Sequence, residues 1–358
     1  MKTSDHQTQS KAVAKYFGYF VFFFIACALV YHVCQLSQYV PFHDWDEAIY
    51  AQVSKEWVRH PGFTLTYNGS SWFEKPPLPS LLYSLAWLIP QLRPEFVARL
   101  ISAFISFITL IFVYKIIYWL TDKVSLSLLA VFVTLQSALF LDRSVLVNVD
   151  IFLALGWVGY LWAIKTKSSI LKLAFTLIGT LSKSLLGFFP LIAEICIDCL
   201  SRSINREKIK VYLLTVFAGL SWQIFMIVIY GQSFIQSHFI DHMVSRVTRP
   251  IELHFGDKFF YGVRLWQESH IWLLLALGGT VVILLLAFYQ LIKRKEIYIP
   301  KHYQLPLMML FIFVGYFSLL TISKSKIHWY ITPLIPLVCM GAIYVWHIGI
   351  SYIKKSEA

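Results

Sequence analysis

The 358-residue chain is 58% hydrophobic and 17% aromatic, with only 14% charged residues, and its mean hydropathy is +0.65. A soluble domain normally carries about a quarter charged residues, so this chain could not cover a water-facing surface, which excludes a soluble enzyme, a coiled coil and a disordered regulator. The net charge of +12 falls mostly in short stretches between apolar runs, without a basic helix or RNA-binding motif. That placement speaks for membrane orientation and against a nucleic-acid partner.

The apolar runs cover 16–36, 77–91, 95–118, 125–142, 149–164, 170–182, 185–200, 211–230, 270–292, 303–322 and 329–352. They have the length of helices rather than of the alternating ten-residue strands of a membrane barrel. The first continues past a signal-peptide core and has no small-x-small cleavage pattern, so it reads as a retained span. The 77–91 run is short and bracketed by Pro76-Pro77 and Pro90, which suits a segment dipping into the outer leaflet. Leaving it out of the count puts Lys123, Lys165, Lys167, Lys208, Lys210 and Lys293 on the same face as the lysines of the N-terminus. The positive-inside rule makes that face cytoplasmic. The expected fold class is therefore an all-α polytopic membrane protein of about ten transmembrane helices, in the cytoplasmic (inner) membrane. No internal repeat is visible. The five cysteines, Cys196-Ile-Asp-Cys199 among them, read as small buried thiols, because no second pair accompanies them.

The outer face then collects the 37–76 loop, the Arg143–Asp150 turn, the break at Lys183, the 231–268 loop and the Ser323–Tyr330 turn. Ions at a membrane edge are costly and point to function. Within 37–76, Ile49, Val53 and Trp57 have helical spacing, suited to a surface helix with its apolar face on the bilayer. Asp44 and Asp46 either cap that helix or supply a general base. Glu74-Lys75-Pro76-Pro77 is a stiff turn holding an acid and a base. His238 and His242, four apart, suit either one helical face or a metal. Asn68-Gly69-Ser70 has the form of a glycosylation acceptor, a common tripeptide to which no weight is given.

Taken together, Asp46-Glu47-x-x-Tyr50-Ala51, Phe73-Glu74-Lys75-Pro76-Pro77-Leu78 and Arg99-Leu100 resemble the GT-C type polyprenyl-phosphate-sugar glycosyltransferases. The nearest are the lipid A aminoarabinose transferases, and the protein mannosyltransferases (family 39/83-like) are more distant. Asp142-Arg143 with Asp150, Leu181 to Gly187, Asp241-His242-x-x-x-Arg246 and Lys326 to Pro333 resemble later motifs of that family, in order. This chain departs from the pattern at Ile49, where the aminoarabinose enzymes carry Arg, and at Ser182-Lys183-Ser184, which lacks their Gly-Pro.

The resemblance implies a GT-C bundle spanning 1–352, with the active site in loops 37–76 and 231–268. A short cytoplasmic tail, 353–358, is expected, and no soluble C-terminal domain. It implies an inverting transfer of a hexosyl or pentosyl unit from a polyprenyl-phosphate-linked sugar to an acceptor glycolipid, glycan or protein. The transfer would take place on the periplasmic or extracellular side. Asp46, with Glu47, would be catalytic. Lys75, Arg246, Lys183, Lys326 and Tyr330 would bind the donor phosphate, Arg143 and Asp150 would form the second outer motif, and Glu74 with His242 would hold a divalent metal (Zn, Mg or Mn). The physics agrees with such a substrate: a lipid-linked phosphosugar needs cations at the membrane edge and carboxylates just above them. A multi-spanning transporter or lipid flippase is the alternative, but transporters favour internal repeats and ions near the bilayer midplane.

Overall fold

Each of the ten long apolar segments folds as a helix, a bent helix pair or a helix entered through a 3₁₀ turn, since backbone inside a bilayer must satisfy its own hydrogen bonds. The computed structural model describes residues 2–43, 45–294 and 301–356, so the expected Asp44 cap lies outside the described residues. The chain opens with α1 (Lys2–Tyr39) and α2 (Trp45–Arg59), then a hairpin of β1 (Thr66–Tyr67) and β2 (Ser70–Ser71). The 77–91 run forms two short helices, α3 (Leu78–Tyr83) and α4 (Leu85–Leu88). Next come α5 (Pro94–Thr121), α6 (Val124–Gln136), α7 (Ala138–Val145), α8 (Asp150–Thr166) and α9 (Ser169–Lys183). A 3₁₀ turn, Ser184–Phe188, leads into α10 (Phe189–Leu200), followed by α11 (Arg206–Gly219) and α12 (Ser221–Tyr230). The long outer segment holds α13 (Gln232–Phe234), a π-helical stretch Ile235–Val244 and α14 (Ser245–Thr248). The chain finishes with α15 (Phe260–Arg294), α16 (Lys301–Ile322), a 3₁₀ turn His328–Ile331 and α17 (Leu334–Ser356).

Among the described residues, four helical stretches are long and apolar enough to cross a bilayer alone: Tyr16–Tyr39, Pro94–Thr121, Tyr303–Ile322 and His328–Ile350. Two bent pairs, α6 with α7 (80°) and α11 with α12 (43°), raise the number to six. The other expected crossings are α8, α9 and α10, of 17, 15 and 12 residues, and α15, which kinks at His270 (φ 43°). The expected tail at 353–358 is helical as far as Ser356. Of the five cysteines only Cys339 is buried; Cys27, Cys34 and Cys199 lie on the surface, so the reading of buried thiols holds for one.

The core sits around α8, which is apolar on every side and buried along almost its whole length, as expected of a helix with no solvent face. Small residues let its neighbours approach closely. A Cβ on Gly156 would meet Gly179 of α9 at 2.9 Å, and one on Gly187 would meet Thr180 N at 2.2 Å. Three stacked glycines thus fix the start of α8 against the end of α9, where Asp150 and Lys183 lie. The bend between α6 and α7 is capped from a distance. Glu268 of α15 accepts from Ser137 Oγ (2.7 Å) and Leu139 N (2.9 Å), placing a carboxylate at a helix N-terminus. The apolar face of α2 is covered in part by protein. Tyr50, Ala51 and Val53 are buried, and the helix packs on α3 and α4. Ile49 and Trp57, the other residues of the expected surface face, are half-buried.

Candidate active site

Asp46 and Glu47 open α2, where the helix dipole favours acids, but they face different surroundings. Asp46 lines a polar cleft. Glu47 is fully enclosed and takes a bidentate pair from Arg99 of α5, Nε to Oε1 at 3.0 Å and Nη2 to Oε2 at 2.7 Å. The same guanidinium donates to Val40 O (2.8 Å) and Pro41 O (3.0 Å), and Val147 N donates to Glu47 Oε1 (3.0 Å). The expectation of a catalytic Glu47 is therefore corrected: both its oxygens are engaged in joining three segments of chain.

The turn before α8 is held just as firmly. Asn148 Nδ2 donates to Arg143 O and Leu146 O, both at 2.7 Å, while its Oδ1 accepts from Ile151 N (3.0 Å). Tyr83 OH donates to Asn148 O (2.8 Å). These bonds deliver Asp150 to the first turn of α8, where it pairs with Lys183. Lys183 Nζ also lies 3.9 Å from the centre of the Tyr330 ring. Beyond it, Ser184 takes a left-handed φ of 53°, rare for a side chain larger than glycine. Trp157 Nε1 donates to Leu186 O (3.0 Å) and steadies the break.

Trp45, Asp46, Tyr50, Trp72, Asp150 and Trp329 are among the residues lining the polar cleft. A second, larger cleft of about 390 Å³ adjoins it, lined largely by apolar residues such as Pro76, Leu186, Met243, Val247, Leu319 and Leu320, with His238 and His242. Glu74, Lys75, Lys183, Arg246 and Tyr330 line both clefts and form their common wall. Lys75 donates to His242 Nε2, which leaves the His242 Nδ1 proton facing Glu74 Oε2 at 3.6 Å. Burial, reinforced by the Arg246 charge, pulls Lys75 down to about 8. Burial, with Lys75 and Arg246 close by, holds His242 well below its usual range, so the ring is neutral at pH 7. Arg246 keeps its charge: burial opposes it, but Tyr330, Glu252 and Glu74 outweigh burial. Its Nη2 reaches Glu252 at 3.3 and 3.5 Å, while Nε and Nη1 are buried without a hydrogen-bond acceptor. Buried donors of that kind are costly unless a ligand meets them.

The structure thus brings Asp46, Glu74, Lys75, Asp150, Lys183, Arg246 and Tyr330 to one cleft, with His242 across the shared wall. Two expected phosphate or motif residues lie elsewhere. Lys326 donates to Leu320 O (3.0 Å) and Thr321 O (2.8 Å); it caps the end of α16, where carbonyls and dipole both attract a cation. Arg143 is buried with its guanidinium 4.4 Å from the centre of the Trp329 ring, and so props an aromatic wall rather than lining the cleft. His238 and His242 both line the apolar cleft but have different hydrogen-bond partners. His238 is turned to Phe73 O (2.7 Å) and Ser184 Oγ (2.9 Å), and burial brings it down to about 4. Glu252 and His254 also line the polar cleft; Glu252 is a residue that sequence reasoning missed, since it sits in a loop without periodicity.

The metal expected at Glu74 and His242 would have to be held by these donors. A resident zinc takes three or four protein ligands, whereas Mg keeps several waters and is held by one or two carboxylates together with substrate phosphates. Here the imidazole Nε2 already accepts from Lys75, two cations adjoin, and no group of three or more His, Cys, Asp or Glu gathers among the described residues. Among the described residues, those present do not make up a resident zinc site.

No family model matches the chain. An uncharacterized protein of Aquifex aeolicus is 28% identical over 327 residues, covering 81% of this chain and 72% of its own. ArnT from Cupriavidus metallidurans bound to undecaprenyl phosphate superposes with a TM-score of 0.70 over 93% of this chain, at 17% identity. The archaeal oligosaccharyltransferase AglB from Archaeoglobus fulgidus, in complex with an inhibitory peptide and a dolichol-phosphate, gives 0.56 over 96% of the chain, at 15% identity. The chain spans only 62% of the length of that ArnT and 52% of that AglB. By its helical architecture, this multi-pass membrane protein has the GT-C fold.

Proposed function

We propose that the chain is a membrane glycosyltransferase that moves a monosaccharide from a polyprenyl-phosphate donor to an acceptor glycolipid, glycan or protein, with inversion, on the periplasmic or extracellular side. The observation that carries this reading is the common wall: Arg246 and Lys75 stand between a large apolar cleft and a smaller polar one. The apolar lining of the first suits a polyprenyl chain, the indoles of Trp45, Trp72 and Trp329 beside the second suit a sugar, and a phosphate joining them would fall on the cations. The bound carriers of ArnT and AglB, which share the fold, support the same reading.

In this reaction the bond between the anomeric carbon and the phosphate oxygen breaks, and its electron pair leaves with the phosphate. The acceptor hydroxyl or amine gives its proton to Asp46 and bonds to the anomeric carbon from the opposite face. Charge grows on the departing phosphate, where the unengaged Arg246 donors stabilise it; a single preorganised donor of this type contributes about 100- to 1000-fold in rate. Lys183, already paired with Asp150, sets the local field and supports the Tyr330 ring.

The test supplies purified protein with a labelled polyprenyl-phosphate sugar and a panel of lipid, glycan and peptide acceptors. Wild type is expected to transfer the label, and Asp46→Asn to lose about 100-fold or more. Transfer that survives unchanged in the variant removes Asp46 as base. Movement of intact donor across vesicles, without transfer, would replace the enzyme by a transporter.

A further inference from the structure

Arg246 meets the common wall with an acid already on it. Glu252 Oε1 and Oε2 lie 3.5 and 3.3 Å from Nη2, whereas charge-assisted bonds normally close to about 2.7–2.9 Å. The Glu252 side chain is 40% exposed and that of Arg246 only 14%. This is a loose contact that a better anion can displace. The loop offering the acid is nevertheless fixed. Glu252 and Leu253 both adopt left-handed backbone, φ 56° and 60°, a conformation that persists in such residues only when surroundings impose it. A short ladder imposes it here. Ser325 N donates to Arg246 O (3.0 Å), Lys324 N to Val247 O (3.2 Å) and Lys326 N to His254 O (3.0 Å), while Ile251 N donates to Ser325 Oγ (2.8 Å). The backbone of Glu252 is therefore held beside Arg246, while its exposed carboxylate keeps only a loose contact with the guanidinium.

The charge of the proposed ligand changes during transfer. The donor is a phosphodiester with one negative charge. The released carrier is a phosphate monoester, with about −1.5 to −2 charge at pH 7. Arg246 consequently grips the product more firmly than it gripped the substrate, and departure of the carrier becomes the step that needs help. We propose that Glu252 is a positioning residue that competes with the carrier phosphate for Arg246 and retakes the guanidinium as the carrier leaves, so hastening release. The proposal rests on the glycosyltransferase reading, deepens it at the same site, and needs no atom beyond those of the chain and carrier.

The experiment measures binding of undecaprenyl phosphate to the purified full-length chain in detergent micelles, comparing wild type, Glu252→Gln and Arg246→Ala. Product inhibition is measured in the transfer assay. Glu252→Gln is expected to bind the carrier about two- to five-fold more tightly, the range of a partly exposed ion pair. Its turnover should fall without a rise in KM. General damage to the fold would weaken binding, so a gain separates competition from a structural role. Arg246→Ala is expected to bind at least about ten-fold more weakly. If Glu252→Gln binds no tighter than wild type while Arg246→Ala loses binding, the release role fails and the glycosyltransferase reading stands. If Arg246→Ala binds as well as wild type, or wild type does not bind at all, the reading itself fails and this inference with it. Glu252→Ala, read the same way, serves if the Gln variant does not fold.

Discussion

At the scale of single residues, the two acids that open α2 show how packing decides the meaning of a charge. Asp46 lines the polar cleft, while Glu47 is enclosed with Arg99. Removing one partner of such a buried pair leaves the other charge stranded, at a cost of about 3–5 kcal/mol. Glu47→Ala and Arg99→Ala should therefore each lower the midpoint of thermal unfolding sharply. Replacing both by apolar residues of similar volume should recover much of the loss, and the folded fraction of each variant should still bind undecaprenyl phosphate. A Glu47 variant that unfolds like wild type but cannot transfer sugar would return this residue to catalysis. Lys75, Lys183, Arg246, Tyr330 and Asp46, which line one cleft, were legible from the motifs that carry them. Lys326 and Arg143 were not, because a helix end or an indole ring takes up a cation as readily as a phosphate does, and sequence does not say which lies nearest. Glu252 had no motif at all; its position follows from a backbone ladder to residues more than 70 positions later.

At the scale of elements, helix identity was legible and helix surroundings were not. The apolar period of α2 marks its buried face, but a sequence does not distinguish lipid from the side chains of α3 and α4 as the covering. The hairpin after α2 went unmarked, since two-residue strands carry no periodicity. It is pinned by Glu56, which accepts from Asn68 N (2.7 Å), Gly69 N (3.2 Å) and Gln52 Nε2 (2.8 Å). Asn68 and Gly69 have φ of 51° and 76°, the tight turn favoured between twisted strands. Burial acts to raise the Glu56 carboxyl, but its hydrogen bonds from Thr66, Gly69, Gln52 and Asn68 prevail and hold it below its usual 4.5. The folded form is thus the weaker acid-binder. Its contribution is complete above the unfolded value and fades as pH falls through the lowered one. Hydrogen exchange should show the Asn68 and Gly69 amides losing protection through that acid range. Glu56→Gln should give lower protection that no longer varies with pH there; an unchanged profile in the variant would remove the carboxylate from this role. Because Trp72 N donates to Leu65 O across the base of the hairpin (2.8 Å), its opening also loosens one wall of the polar cleft.

At the scale of the whole molecule, hydropathy located the ten helical segments, and charge bias suggested which ends face the cytoplasm. Orientation makes a direct prediction. A cysteine introduced at exposed Ser71 should react with an impermeant maleimide in intact cells, and one introduced at exposed Lys210 only after lysis, each scored over the native thiols. The reverse pattern would put the clefts on the cytoplasmic side. What hydropathy leaves invisible is the meeting of four remote stretches, near residues 46, 75, 183 and 246, which depends on glycine contacts and buried polar turns of no distinctive composition.

The common wall also has a consequence for inhibitor chemistry. On the proposed function, a compound with only a greasy tail, or only a saccharide head, would occupy one chamber and forgo the other. Tethering the two through a single non-hydrolysable phosphonate makes the second contact intramolecular, and its local concentration then depends on whether the linker matches the thickness of that partition. Such a series, lengthened one atom at a time, would act as a ruler for the distance between the greasy chamber and the wet one.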